Sequence, residues 1–181
     1  MQITIDQELA LRTVAVEDAQ AVFNLTDTSR EYLREWLPWL DFTKEVADSK
    51  AYIESCIAGY EAKSSLSLVI IFRNQIVGIA GFNSINSSNK IATIGYWLSK
   101  DAQGHGIMTK TVKTLMHYAF EELQLNKVEI RAAAGNVKSR AIPERLNFTT
   151  EGTIRAAEWL YDHYVDHVVY GMLAKEWKKL L

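Results

Sequence analysis

Apolar positions run along this chain in two rhythms, and each switch between them marks a new element. Alternation at Ile3, Ile5, Leu9 and Leu11 predicts an N-terminal segment of strand with a turn near Asp6-Gln7. Ala19, Val22, Phe23 and Leu25 then recur at helical spacing within Val16 to Thr26. A short helix from about Ser29 to Trp36 stops ahead of Pro38. Val46, Ala47, Ala51, Ile53, Ile57 and Tyr60 give Glu45 to Lys63 a helical face. Leu66 to Phe72 is β-rich, turns at Arg73-Asn74-Gln75, and returns as Ile76 to Ile85. After a polar turn at Asn86 to Asn89, Ile91 to Leu98 reads as a third strand. A helix over Thr109 to Leu123, a strand over Lys127 to Ala133 and a short helix over Asn136 to Leu146 follow. Phe148 to Arg155 and Tyr164 to Leu173 close the chain as strands. This order predicts one mixed α/β (α+β) domain over residues 1–181, with a strand-helix-strand crossover only at its centre.

The crossover carries the most chemistry. Gln103-Gly104-His105-Gly106-Ile107-Met108-Thr109 lies between the third strand and the long helix. Two glycines two apart let the backbone turn sharply and point several N–H groups one way. The next helix adds its own unpaired N–H groups and the positive end of its dipole. Such a loop suits a phosphate or diphosphate, and so a nucleotide-bearing cofactor. Taken alone, Gly104 and Gly106 fit an ordinary turn equally well. No Gly-Lys-Ser/Thr follows, which excludes a Walker-type loop, and no acidic residue follows a second strand as a dinucleotide fold requires.

Composition narrows the setting. A net charge of −2 without charge runs argues against nucleic-acid binding. Cys56 is the sole cysteine, which excludes an intrachain disulfide and suits a reducing compartment. No apolar run approaches a membrane span, and Met1 to Asp6 lacks a basic region followed by an apolar one. A cytoplasmic protein without membrane contact is expected. The histidines are dispersed without metal-ligand spacing, and no metal is expected. Cys56 reads as a small core residue.

Three stretches, in order and spacing, resemble the GNAT superfamily of acyl-CoA-dependent N-acetyltransferases. They are Gly95-Tyr96-Trp97-Leu98 running into the glycine loop, Asn136-Val137-Lys138-Ser139-Arg140, and Glu144-Arg145-Leu146-Asn147-Phe148-Thr149-Thr150-Glu151-Gly152. The RimL-type branch, with its ribosomal-protein serine N-acetyltransferases, is most similar, and the likeness spans nearly the whole chain. It implies a GNAT fold: a mostly antiparallel mixed sheet, splayed at its middle between Ile91–Leu98 and Lys127–Ala133, flanked by helices. Acetyl-CoA is the implied cofactor. Its diphosphate would lie on Gln103, Gly104, His105, Gly106, Ile107, Met108 and Thr109, although Met108 departs from the superfamily's last Gly/Ala. Its pantetheine arm would run along the strand ending at Trp97 and Leu98, as an added strand would, and bond Asn136. A backbone N–H near Trp97 or Leu98 would polarise the thioester.

The resemblance makes Ser139 the contact of the cofactor sulfur and a general acid. Its bland alternative is a cap at the helix start. The base is missing: relatives often carry Glu between Ala92 and Ile94, where this chain has Thr93. Thr93 can hold a water but is no base at neutral pH. Asp162, His163, Asp166 and Glu35 are too scattered to rank, and His105 is expected to face solvent. Tyr32, Trp36, Leu37, Trp39 and Leu40 form an aromatic-rich segment that the resemblance places over the acceptor mouth, with one tryptophan expected buried and the other exposed. Trp159 and Tyr161 are candidates for the opposite wall. The substrate-binding set is thus Trp36, Trp39, Thr93 and Trp159. Pro143 is expected to kink its helix near the cofactor.

The leading expectation is acetyl transfer to a primary amine, the N-terminus of a ribosomal or other protein. Transfer to a small amine, such as a polyamine, an aminoacyl conjugate or an antibiotic, is the alternative. A non-catalytic acyl-CoA sensor is the third reading, prompted by Thr93. A homodimer through Val165, Val168 and Val169 is expected.

Overall fold

The computed structural model describes residues 1–179. Its strands are β1 (Gln2–Thr4), β2 (Leu9–Thr13), β3 (Leu66–Phe72), β4 (Gln75–Asn86), β5 (Ile91–Leu98), β6 (Lys127–Ala133), β7 (Thr149–Leu160) and β8 (His163–Leu173). Its helices are α1 (Ala19–Thr28), α2 (Arg30–Arg34), α3 (Val46–Glu61), α4 (Ile107–His117), α5 (Val137–Arg145) and α6 (Ala174–Trp177). The strands form one sheet in the order β1-β2-β3-β4-β5-β6-β8-β7. Among the described residues only β5 and β6 run parallel. A parallel pair needs a crossover, and α4 supplies it.

Strand alternation decides what each face buries. Leu68, Ile70, Phe82, Ile94 and Ile130 point to the face covered by Val112, Leu115 and Met116 of α4. Val69 and Ile79 point the other way, under Val22 of α1 and Ile53 and Cys56 of α3. Each such side chain contributes about 1.5–3 kcal/mol by leaving water. Cys56 is thus the small core residue expected. The helix anticipated to run unbroken to Leu123 instead ends as α at His117 and continues as a π-type turn, Tyr118–Glu122. The widened turn sets Tyr118 stacked on Phe82 at 6.4 Å.

The sheet splays where expected. β5 and β6 pair only from Ile91–Lys127 to Ile94–Ile130. Beyond that, β5 stays bound to β4 up to Gly78–Leu98, while β6 stays bound to β8 up to Ala133–His167. Gly95 to Leu98 therefore show free backbone groups to a gap.

β7 runs five residues past the expected end at Arg155, as an exposed edge strand. Val168 is 7% exposed and faces the core, so of the three valines expected at a two-fold only Val165 and Val169 are partly at the surface. Among the described residues no helix is long and apolar enough to cross a membrane, and no group of three or more His, Cys, Asp or Glu could hold a metal ion.

Candidate active site

Two cavities open from the splay, one on each side. The first, about 1080 Å³, lies between β5, the glycine loop with the start of α4, and α5. The second, about 830 Å³, lies under α1, the aromatic segment and the start of α3, and reaches β6 to β8. Trp36, Leu37, Tyr96, Trp97, Asn136 and Ser139 line both, so this is where they meet.

The first cavity has a floor built for an anion. Gly104 and Gly106 have φ +81° and +70°, the left-handed region, and a Cβ at either would meet nothing within 4 Å. Gly106 caps α4, and the Lys110 N–H bonds back to its carbonyl at 3.1 Å. The amides ahead of Lys110 are the first-turn donors that a helix cannot use itself. Lys110, Lys138 and Arg145 add positive charge to the lining. Lys138 donates to Gln103 Oε1 at 3.1 Å, and Arg145 donates to Thr109 Oγ1 at 2.7 Å. Gln103, Gly104, Gly106, Ile107, Met108, Thr109, Trp97 and Leu98 all line the cavity. His105 does not: its exposed ring packs on Phe72, with centroids 5.7 Å apart. It sits between the two left-handed glycines of the turn.

At the junction, two hydroxyls meet. Asn136 Oδ1 accepts the Ser139 N–H at 3.0 Å and so caps α5. That bond leaves the amide nitrogen of Asn136 and one lone pair of its oxygen free to meet a pantetheine arm. Pro143 sits inside α5 and has no N–H to give the Ser139 carbonyl four residues back. The Tyr96 hydroxyl takes that place, donating to Ser139 O at 3.0 Å, and lies 3.4 Å from Ser139 Oγ. Burial pushes the Tyr96 phenol up to about 12, so it keeps its proton at neutral pH. Tyr96 is a site residue the sequence reading did not single out. Its place on the cofactor-side face follows from alternation with the buried Ala92 and Ile94.

The second cavity is aromatic at its mouth. Trp36 and Trp39 are both half-buried, rather than one in and one out. Trp36 lies against Gly135, and Trp39 tilts on Trp97 at 6.1 Å. Phe42, 78% exposed, joins the rim. Leu40 is fully buried and belongs to the core. Trp159 is outside both cavities, half exposed, edge-on to its cross-strand partner Tyr164 at 4.8 Å. Tyr161 props the aromatic segment from outside: its hydroxyl donates to the Leu37 carbonyl and its ring sits 3.8 Å from the Arg34 guanidinium.

Thr93 lines the second cavity beside the carboxamide of Asn83, which a β-bulge in β4 leaves out of the ladder. The registered neighbour of Thr93 on β6 is Glu129. It is no substitute base: burial raises its pKa, but bonds from Lys127 at 2.8 Å and Arg131 at 3.1 Å outweigh that and hold it below the usual glutamate range. Two carboxylates line the cavity: Asp48, which accepts the N–H groups of Lys44 and Glu45 at 2.8 and 3.0 Å and is held below the usual aspartate range by them, and Glu158, with Oε2 3.3 Å from His167 Nε2. Asp162 and His163 pair with each other at the β7–β8 turn, Asp166 Oδ1 accepts the Ala156 N–H, and Glu35 is exposed outside the lining. None of the four scattered candidates lines either cavity. Register found what residue type alone did not. His167 shares a sheet face with Arg131, and a bulge swings Glu158 toward it.

A splayed sheet with a glycine turn and basic helix start on one side and an open aromatic cavity on the other suits a protein that brings a nucleotide-bearing donor to an acceptor. The matching family model is Acetyltransferase (GNAT) domain, over residues 8–149. The chain belongs to this family, and it is an acyltransferase that uses acetyl-CoA. It is 31% identical over 178 residues, 96% of either chain, to the Bacillus subtilis (strain 168) protein named "Putative ribosomal N-acetyltransferase YdaF". It superimposes with a TM-score of 0.93 and 26% identity on RimL, the ribosomal L7/L12 alpha-N-protein acetyltransferase in complex with coenzyme A, covering 97% of this chain and 99% of that one. The microcin C7 self-immunity acetyltransferase MccE, solved with acetyl-CoA and AMP, gives 0.90 and 28% over 94% and 95%.

Proposed function

We propose that the chain acetylates the N-terminal amine of a protein, with a ribosomal protein as the substrate class. The observation that carries this is the second cavity: it meets the cofactor cavity at Ser139 and Tyr96, opens through an exposed aromatic rim, and holds the Glu158 carboxylate. Such a mouth admits the end of a chain. The names of YdaF and RimL point to the same acceptor.

Acetyl-CoA supplies, when bound, an acetyl group activated as a thioester. The first-turn amides of α4, with Lys110, Lys138 and Arg145, hold its diphosphate end. Gly95 to Leu98 hold the arm with their free backbone groups. Glu158 takes the proton from the acceptor ammonium, since only the neutral amine is nucleophilic. Ser139 Oγ, held beside the Tyr96 hydroxyl, would give its proton to the leaving sulfur and be restored by the proton that the attacking nitrogen sheds as the amide forms. Glu158 thus fills the role left open by Thr93, which removes the motive for a non-catalytic sensor. The reading also makes the protein cytoplasmic, where ribosomal proteins are made. It makes it a homodimer through the edge at β7, where Ile154, Trp159 and Tyr164 are exposed.

Thiol release across peptides bearing ribosomal-protein N-termini and across small amines tests the proposal. Turnover on peptides only is expected. Turnover on small amines only favours an acceptor nearer that of MccE, whose structure holds AMP. Turnover on neither sinks the acceptor reading while leaving the family intact.

A further inference from the structure

β7 departs from its ladder beside the acceptor cavity. Between Ile154–His167 and Glu158–Val165 it takes four steps while β8 takes two. Ala156 in this bulge has φ +48°, a conformation that a residue with a Cβ adopts only when its surroundings impose it. Asp166 imposes it by accepting the Ala156 N–H on Oδ1 at 2.8 Å. The next residue, His167, meets the carboxylate that the bulge delivers. Two consecutive residues of β8 therefore fix where Glu158 points. The His167 side chain is only 18% exposed and that of Glu158 32%. Both line the acceptor cavity, whose mouth is largely aromatic.

A carboxylate that takes a proton at each turnover must lose it again before the next. With an acceptor filling the mouth, the direct path to water is obstructed. We propose that His167 receives the proton that Glu158 removes from the acceptor and passes it on to solvent. This rests on the reading of Glu158 as the acceptor's base. In the first step an N–H bond of the ammonium breaks and an O–H bond forms on Glu158. In the second that O–H breaks and an N–H forms at His167 Nε2, with the imidazole carrying its own proton on Nδ1 beforehand. The imidazolium then yields one proton to solvent, and both side chains are restored. Glu158 Oε2 and His167 Nε2 lie 3.3 Å apart, close enough for the proton to pass directly between them. Lying behind Glu158, His167 acts through it and is a positioning and relay residue.

Three variants of the full chain test this by thiol release with saturating acetyl-CoA. His167→Ala is expected to lose at least tenfold in kcat, with affinity for acetyl-CoA unchanged by calorimetry, and to recover when imidazole is added. His167→Gln keeps a hydrogen bond to Glu158 but cannot carry a proton; it is expected to stay slow and to ignore imidazole. A His167→Gln variant as fast as the parent overturns the relay, and so does His167→Ala that imidazole fails to restore while its melting temperature matches the parent's. Glu158→Gln reports on the underlying reading separately: if it keeps full activity, the base assignment itself fails, whatever His167 does.

Discussion

Replacing Gly106 by alanine distinguishes an anion cradle from a plain turn. At φ +70° an L residue costs about 1–2 kcal/mol. Alanine recovers about 0.4–1 kcal/mol of that by restricting the unfolded chain. A Cβ there meets no atom within 4 Å, so no packing penalty is added. The net cost is about 1 kcal/mol, a fall of about 2–4 °C in Tm for a chain of this size. Binding should change far more. The methyl projects toward the cavity in which the first-turn amides of α4 must touch an anion. A hydrogen bond to a charged group contributes about 1.5–3 kcal/mol. Losing one raises the acetyl-CoA Kd by about 10- to 100-fold. Calorimetric titration with acetyl-CoA and CoA, beside a melting curve, measures both effects. An acetyl-pantetheine thioester without the diphosphate should react equally with parent and variant. An unchanged acetyl-CoA Kd with a lowered Tm would make the glycines turn residues only and refute the cradle.

Tyr96→Phe deletes the hydroxyl that lies 3.4 Å from Ser139 Oγ and should lower kcat at least tenfold. Adding Ser139→Ala should cost little more if the two serve one proton, a non-additivity read from the double-mutant cycle of thiol release. Glu129, held below the ordinary glutamate range, stabilises the fold above that range and loses this as pH falls through its folded value. Glu129→Gln should therefore flatten the acid side of the Tm–pH curve; an unchanged slope would count against the Lys127–Glu129–Arg131 cluster as its cause. Gly95→Ala places a Cβ into the Asn83 carboxamide, the flexible end of a side chain. Its Tm should hold, while the acceptor KM rises and the acetyl-CoA Kd stays put. Tyr170→Phe removes a fully buried hydroxyl that accepts from Arg140 Nε at 2.9 Å and donates to Glu144 at 2.7 Å. About 1–2 kcal/mol should be lost in denaturant unfolding.

Local pattern carried most of the fold. The apolar runs Leu66–Phe72 and Ile91–Leu98 mark strands, and the glycine loop with the helix after it is a short-range signal. The cofactor side of the site was legible for the same reason, since Gly104, Gly106, Asn136 and Ser139 are close in sequence to the elements they begin. The acceptor side was not. Glu158 and His167 come together through a bulge whose extra residues leave no periodic trace, and Trp159 was chosen where its neighbour Glu158 is the one that reaches the cavity. The π-type turn at Tyr118 was equally hidden, because it preserves helical spacing through Leu115 and Ala119. Val168 misled for a related cause: in Val168-Val169 only parity says which valine is buried.

The features that make the site are all interruptions of backbone hydrogen bonding. Buried N–H and C=O groups without partners are costly, so each interruption must be met by something else. The bulge in β4 frees Asn83 from the ladder, and its side chain packs over Gly95. The missing N–H of Pro143 is met by the Tyr96 hydroxyl, which thereby lands beside Ser139. The bulge in β7 is met by Asp166, and Glu158 is delivered to His167. Two interruptions are met by no side chain: the free edge of Gly95–Leu98 and the first amides of α4. They face the same cavity, one beside the junction and the other at the basic end. A ligand with an amide-bearing arm and a diphosphate satisfies both at once. The fold is therefore incomplete in the two places where the cofactor completes it, and acetyl-CoA should raise Tm by more than CoA fragments that fill either place alone.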